Sequence, residues 1–189
     1  MEARDTEDTG RYRIIAFGFP RSGTRYFSKV LQAMGLDVWH EEVGPDGGVS
    51  FHLVQSNLPQ VRDAKGRSFW CPPLRDVDIV IYLYRDMEKT IRSCIANWSE
   101  MPHEFFEKLS SGLFFDLSKK QDNMYFWMIG CYLEYTRLAM KKLKEAKRAG
   151  CKVYTISVEE VTWLGDLYGI PNNDHHRLEL NGKIEKKWR

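Results

Sequence analysis

Short apolar runs alternate along this chain with longer stretches in which apolar residues recur every three or four positions. The short runs predict buried strands at residues 14–17, 36–39, 78–84 and 152–157. The periodic stretches predict helices over residues 26–34, 86–98, 103–110, 159–168, and from residue 122 to a stop at Gly150. Strands that alternate with helices indicate an α/β fold, and we predict three αβα layers with a mainly parallel sheet and residues 78–84 at its centre.

Two further expectations concern packing and connections. In the longest helix, five apolar residues are spaced as one buried stripe: Phe126, Ile129, Leu133, Met140 and Leu143. Residues 43–75 carry eight glycines and prolines, which predict a long connecting loop with a short helix near residues 51–58. A loop of this length in a compact domain is usually functional, and we expect it to help form a substrate pocket.

Composition narrows the class of protein. The 189 residues fit one domain, and we predict a flexible start at residues 1–11 and a single domain at residues 12–189. A net charge of +2 argues against a nucleic-acid partner. No apolar run reaches the ~18 residues of a membrane span, and the polar, acidic first residues do not resemble a signal peptide. Four separated cysteines indicate free thiols, which are typical of a reducing compartment. Together with the lack of a membrane span, this leads us to expect a cytoplasmic protein with no membrane partner.

The segment between the first strand and the first helix contains a glycine loop. Gly18 and Gly23 have the spacing of a P-loop, in which backbone N–H groups and the helix dipole bind a phosphate. The Lys and the Ser or Thr that normally follow the second glycine are here Thr24 and Arg25. Because those two residues serve the terminal phosphates and Mg²⁺, their absence argues against Mg²⁺-dependent phosphoryl transfer. Glycine turns after a strand also occur in proteins that bind no phosphate.

A second anion-binding pair follows the strand at residues 78–84. Arg85 comes directly after this strand, and Ser93 lies two turns along the next helix. An Arg fork and a Ser hydroxyl at this spacing can both reach one phosphate. Since ligands of such sheets bind beyond the carboxyl ends of the strands, both motifs belong at one edge.

The two motifs together resemble those of sulfotransferases that use 3′-phosphoadenosine 5′-phosphosulfate. The stretch Gly18-Phe-Pro-Arg-Ser-Gly-Thr24 is similar to the 5′-phosphosulfate loop of that family, and Arg85 with Ser93 is similar to its 3′-phosphate motif. The resemblance implies a P-loop-like fold of the sulfotransferase type and donor-binding residues at these positions: Pro20, Arg21, Ser22, Gly23, Thr24, Arg25, Arg85 and Ser93. It also implies that Arg21 contacts the transferring sulfuryl group. The family's C-terminal motif is echoed only imprecisely, in Gly182-Lys183 and Lys187-Trp188.

Sulfuryl transfer also requires a base for the acceptor hydroxyl. His40, Glu41 and Glu42 follow the second predicted strand, and the family that this chain resembles uses either His or Glu. His titrates near neutral pH, and burial can raise the pKa of Glu. We therefore expect the base to be His40 or Glu41, and the sequence does not choose between them.

The resulting hypothesis is a metal-independent sulfotransferase that acts on a hydroxyl or amine of a small molecule or glycan. Two alternatives remain: a non-catalytic nucleotide-binding protein of the same fold, and a small-molecule kinase with an altered P-loop. No metal site is predicted, because His175-His176 has no carboxylate or Cys at ligand spacing. The sequence identifies neither the acceptor nor the oligomeric state.

Overall fold

The computed structural model describes residues 11–54, 61–62, 68–69, 71–110 and 124–170. Its strands are β1 (Tyr12–Gly18), β2 (Val38–His40), β3 (Val43–Gly44), β4 (Gly47–Val49), β5 (Val61–Arg62), β6 (Ser68–Phe69), β7 (Val77–Tyr84) and β8 (Lys152–Ser157). Its α-helices are α1 (Thr24–Ala33), α2 (Met87–Ala96), α3 (His103–Ser110), α4 (Met124–Arg148) and α5 (Val158–Leu167), and short 3₁₀ segments cover Phe51–Val54, Leu74–Asp76 and Trp98–Glu100. None of these helices is long and apolar enough to cross a lipid bilayer.

Six strands form one mostly parallel sheet. Five of them run parallel in the order β2-β4-β1-β7-β8, and β3 pairs antiparallel with β4. Strands β5 and β6 form a separate antiparallel pair. The strand at residues 78–84 was predicted at the centre, but β1 takes the middle position and β7 lies beside it, paired on both edges.

Alternate residues of β1 face two different layers of helices. Ile15 and Phe17 belong to a buried cluster with residues of α2, α3 and α4. Ile14 and Ala16 belong to a second cluster with residues of α1 and α5. A strand buried on both faces requires apolar residues at every position, which explains its continuous apolar run. The fold is therefore α/β, with helices on both faces of a mostly parallel sheet, as expected for three αβα layers.

The prediction of a connecting loop from residue 43 is wrong for its first part, because β3 and β4 lie there. Glycine is depleted in strands, so the Gly47-Gly48 pair indicated a turn. Gly47 has φ 135°, and a Cβ there would overlap the carbonyl oxygen of Ile14. A Cβ on Gly48 would likewise overlap the carbonyl oxygen of Glu42. These glycines let β4 approach its neighbours closely. The helix predicted near residues 51–58 is a 3₁₀ turn at Phe51–Val54, and the remainder lies outside the described residues.

The predicted buried stripe of α4 is wrong at three of its five positions. Phe126, Leu133 and Met140 are 59%, 57% and 40% exposed. The helix is turned so that a neighbouring stripe faces the sheet, and this stripe comprises Trp127, Cys131, Tyr135, Ala139, Lys142 and Ala146. Small residues such as Cys131 and Ala139 let the helix pack closely, a factor that hydrophobic spacing alone does not weigh. The predicted start at residue 122 lies outside the described residues.

Candidate functional site

The carboxyl ends of β1, β7 and β2, with β4 between β2 and β1, bring the predicted site residues to one edge of the sheet. The loop from Gly18 to Gly23 follows β1, Arg85 follows β7, and His40 ends β2. The register places Gly18 opposite Leu83 on one side of β1. On the other side, the N–H of Ser50 donates to the carbonyl of Ala16 at 3.0 Å, directly after β4. Because parallel strands end at the same edge, segments far apart in sequence meet there.

The loop after β1 has a backbone that only certain residues adopt easily. Arg21 and Gly23 have φ values of 69° and 86°, both in the left-handed region. A Cβ on Gly18 would overlap Ser22 Oγ and lie 2.7 Å from the carbonyl oxygen of Leu83. A Cβ on Gly23 would lie 2.6 Å from Val158 Cγ2. Glycine is therefore required at both positions, as the motif predicts.

The first turn of α1 presents backbone donors without a side-chain cap. Gly23 occupies the N-cap position and makes no side-chain capping bond, and no acidic residue lies in the first turn. Thr24 is buried, whereas Arg25 is exposed at the second helical position. The free N–H groups and the positive end of the helix dipole favour an anion at this point.

The two anion-binding motifs contact each other directly. Arg21 Nε donates to Ser93 Oγ at 3.3 Å, and Arg85 Nη1 donates to the carbonyl oxygen of Arg21 at 3.3 Å. The hydroxyl of Tyr132, on α4, donates to the carbonyl oxygen of Arg85 at 3.0 Å. Asp86 caps α2, the helix that carries Ser93, by accepting from the N–H of Lys89 at 2.9 Å. Two guanidinium groups are thereby held beside the start of α1.

Two buried donors at this edge lack an acceptor among the residues that the structure describes. Ser22 Oγ and Arg85 Nε are inaccessible to solvent and make no hydrogen bond there. Leaving such a group unsatisfied costs roughly 1–3 kcal/mol, and more for a charged group. An oxyanion supplies several acceptors at once, which fits donors of this kind.

A buried cysteine packs against the loop that follows β1. Cys94 Sγ donates to the carbonyl oxygen of Pro20 at 3.4 Å. Burial raises the pKa of this thiol to about 12, although the charges of Arg21 and Arg85 act in the opposite direction. A thiol that stays protonated is a poor nucleophile, so Cys94 packs beneath the loop rather than reacting.

On the other side of β1, His40 and Glu41 form a paired network. His40 Nε2 lies 3.3 Å from Thr24 Oγ1 and 3.2 Å from Glu41 Oε1. Glu41 Oε2 accepts from Ser50 Oγ at 2.9 Å. Burial, and then the charge of Arg25, lowers the pKa of His40 to about 4. The ring is therefore neutral at pH 7.

The structure thus brings all ten predicted site residues to this edge: Pro20, Arg21, Ser22, Gly23, Thr24, Arg25, His40, Glu41, Arg85 and Ser93. Two supporting residues were not among them. Tyr132 fits a core stripe equally well by its spacing, so no local signal assigned it to Arg85. Ser50 would have been found by interpreting Gly47-Gly48-Val49 as a strand, because its position at a strand end then follows.

The C-terminal echo at residues 182–188 and the pair His175-His176 lie outside the described residues. No protein-family model matches this chain, and no curated protein matches it.

Proposed function

We propose that this chain is a cytoplasmic sulfotransferase with a P-loop-like fold. It would transfer the sulfuryl group from 3′-phosphoadenosine 5′-phosphosulfate to a hydroxyl or amine of a small molecule or glycan. The transfer would be in line and independent of a metal ion, since the loop lacks the Lys and hydroxyl residues that serve Mg²⁺ phosphoryl chemistry. Four free thiols, at Cys71, Cys94, Cys131 and Cys151, support a reducing compartment.

The observation that carries the proposal is the meeting of the two motifs. Arg21 and Ser93 are 72 positions apart, and Arg85 and Arg21 are 64 positions apart, yet each pair is in hydrogen-bond contact. The resemblance assigns one motif to the 5′-phosphosulfate and the other to the 3′-phosphate of a single donor. Such a donor needs both groups bound in one site, and the adjacent ends of β1 and β7 bring the two motifs into one site.

The residues present suit a donor that carries two anionic ends. The uncapped start of α1 and Arg21 favour one anion, and Arg85 adds a second guanidinium with an unsatisfied Nε. Ser22 contributes a further buried hydroxyl without an acceptor among the described residues. Charge-assisted bonds from Arg to phosphate are about twice as strong as neutral ones.

The donor, when bound, supplies an activated sulfuryl group whose transfer leaves adenosine 3′,5′-bisphosphate. Arg21 and the N–H groups of the loop would stabilise the negative charge that develops on the leaving phosphate oxygen. Arg85 and Ser93 would hold the 3′-phosphate. His40 or Glu41, one strand away, would accept the proton of the acceptor hydroxyl.

The test is acceptor-dependent release of adenosine 3′,5′-bisphosphate in the presence of EDTA, with a phenol, an alkyl alcohol, an aryl amine and a glycan as acceptors. We expect Arg21→Ala to lower kcat by about 10²–10³-fold, as for the loss of a charge-stabilising donor. Arg13→Ala, an exposed change at the start of β1, is the matched control and should leave kcat unchanged.

Two results would overturn the proposal. Binding of adenosine 3′,5′-bisphosphate without turnover on any of these acceptor classes would indicate a non-catalytic nucleotide-binding protein. Phosphoryl transfer from ATP that depends on Mg²⁺ would indicate a kinase.

A further inference from the structure

Ser50 is held rigidly beside the site by contacts on both sides. It is 1% exposed, and its N–H donates to the carbonyl oxygen of Ala16 at 3.0 Å. Its Oγ accepts from the N–H of His52 at 3.2 Å and donates to Glu41 Oε2 at 2.9 Å. A hydroxyl has one proton to donate, and Ser50 donates its proton to the carboxylate of Glu41.

Glu41 is fixed in turn at its backbone and at both carboxylate oxygens. Its N–H donates to the carbonyl oxygen of Val49 at 3.0 Å, and its φ of 63° lies in the left-handed region. A non-glycine residue keeps such a conformation only where its surroundings impose it. Oε2 accepts from Ser50 and Oε1 lies 3.2 Å from His40 Nε2. Ser50 and His40 thereby fix the orientation of this carboxylate.

The tautomer of His40 follows from its neighbour. His40 Nε2 lies between Glu41 Oε1, at 3.2 Å, and Thr24 Oγ1, at 3.3 Å. A lone pair on Nε2 would face the carboxylate and be repelled by it, whereas an N–H is attracted to it, which favours the proton on Nε2. Nδ1 then keeps its lone pair, and it makes no hydrogen bond within the part of the chain that the structure describes. Nδ1 is therefore the atom of His40 that can accept a proton.

We propose that Glu41 is a positioning residue, and that Ser50 and Glu41 together hold His40 with Nε2–H inward and Nδ1 available to an acceptor hydroxyl. The proposal rests on the proposed function only for the identity of the reaction. The arrangement depends on β4, because this strand delivers Ser50 to the end of β2, where Glu41 begins the next turn.

The first experiment measures the tautomer without any turnover. Long-range ¹H–¹⁵N spectra of the histidine side chains, with His40 assigned from His40→Gln, should show the Nε2–H form in the wild type at pH 7. Glu41→Gln should keep it, because an amide oxygen still accepts from Nε2–H. Glu41→Ala should give a mixture of the two tautomers, and Ser50→Ala should give a smaller shift towards the Nδ1–H form, because the carboxylate stays but loses the hydrogen bond from Ser50 that orients it. Ser110→Ala, which removes another serine of 1% exposure, is the control and should change nothing.

The second experiment measures kcat and the affinity for adenosine 3′,5′-bisphosphate in the same variants. Glu41→Ala and Ser50→Ala should lower kcat by about 10- to 100-fold, the usual range for loss of an orienting partner. Glu41→Gln should retain most of the turnover, and His40→Gln should lose about 10²–10⁴-fold. Affinity for the bisphosphate should stay within about twofold in the Glu41 and Ser50 variants, because neither side chain belongs to the donor motifs; His40→Gln is left out of this comparison because His40 contacts Thr24.

Two results would overturn the inference. An unchanged His40 tautomer in both Ser50→Ala and Glu41→Ala would mean that these residues do not orient the ring. A loss of kcat in Glu41→Gln as large as in His40→Gln, with the tautomer intact, would make Glu41 the base. If the wild type transfers no sulfuryl group, the proposed function fails, but the tautomer spectra still decide the positioning role.

Discussion

The loop after β1 and the network after β2 lie at the same edge of the sheet, yet they treat their polar groups in opposite ways. In the loop, Ser22 Oγ and Arg85 Nε are buried donors that have no acceptor among the described residues. In the network, both oxygens of Glu41 are engaged, by Ser50 and by His40. The loop, with Arg85 beside it at the end of β7, thus has buried donors without acceptors among the described residues, whereas the Glu41 carboxylate has a partner at each oxygen.

The difference separates binding from chemistry. Unsatisfied donors are retained where a ligand satisfies them, and they cost stability until it does. In a network whose hydrogen bonds are already formed, no free energy is spent on ordering the side chains when a substrate binds. The reactive atom is held in place before the reaction, as catalysis by orientation requires. Mutations in the loop should therefore change ligand affinity and stability, whereas those in the network should change turnover.

The largest expected effect is on ligand binding. Arg85→Ala removes a guanidinium that contacts the loop, and we expect the affinity for adenosine 3′,5′-bisphosphate to fall by about 100-fold, or roughly 2–3 kcal/mol. Calorimetric titration in EDTA measures it. Arg92→Ala is the control, because Arg92 pairs with Glu88 on the exposed face of α2. Equal affinities for the two variants would remove Arg85 from the site.

A slightly smaller effect is expected on stability. In Gly18→Ala the new Cβ would overlap Ser22 Oγ and press on Leu83, and we expect a loss of about 2 kcal/mol in the free energy of unfolding. Gly35→Ala is the control: its φ of 86° is strained for alanine, but a Cβ there meets nothing within 4 Å, so the loss should be about 1 kcal/mol. Urea denaturation measures both. A larger loss for Gly35→Ala would show that the loop is not tightly packed.

Because His40 is buried in the network, the free energy of unfolding should depend on pH. The pKa of His40 is lowered to about 4 in the folded chain from the ordinary 6.5. As pH falls below 6.5, His40 becomes protonated in the unfolded chain but stays neutral in the folded chain. The free energy of unfolding therefore decreases between pH 6.5 and pH 4. We expect a loss on the order of 3 kcal/mol between pH 6.5 and pH 4, the free-energy equivalent of this shift. Wild type and His40→Gln are compared by denaturation from pH 7 to pH 4. Parallel curves would contradict a buried neutral ring.

The smallest expected effect concerns the helix that carries Ser93. Asp86→Ala removes the cap of α2 and should cost about 1 kcal/mol of unfolding free energy, with the affinity for the bisphosphate little changed. Glu88→Ala, in the same first turn, should cost less, since it loses only an exposed ion pair. If Asp86→Ala abolished binding without loss of stability, Asp86 would belong to the ligand site.

The sequence predicted the elements that depend on local signals. α3 and β8 occur at the predicted residues, and Gly35 and Gly150 follow the helices that they were expected to end, each with a left-handed backbone. The two anion-binding motifs were also expected at one edge of the sheet, and they meet there, because the loop from Gly18 and Arg85 each directly follow a strand with a continuous apolar run.

The sequence did not predict features that depend on tertiary contacts. β4 contains two glycines that are required by close approach of neighbouring backbone, a requirement that appears only in the assembled sheet. The face of α4 was also misassigned, since two apolar stripes are nearly equivalent in spacing and packing of small residues decides between them. Because Ser50 lies just beyond β4 and Tyr132 lies on α4, the supporting contacts of both residues could not be predicted, for these same reasons.

The central claim is that the loop and Arg85 form a donor site for a nucleotide with two phosphate groups and no metal requirement. Calorimetric titration of the wild type with adenosine 3′,5′-bisphosphate in EDTA, beside ADP with Mg²⁺, tests it most directly. We predict binding of the bisphosphate at micromolar concentration or tighter, on the order of −8 kcal/mol, and much weaker binding of ADP. A preference for ADP with Mg²⁺, or no binding of either nucleotide, would contradict the account.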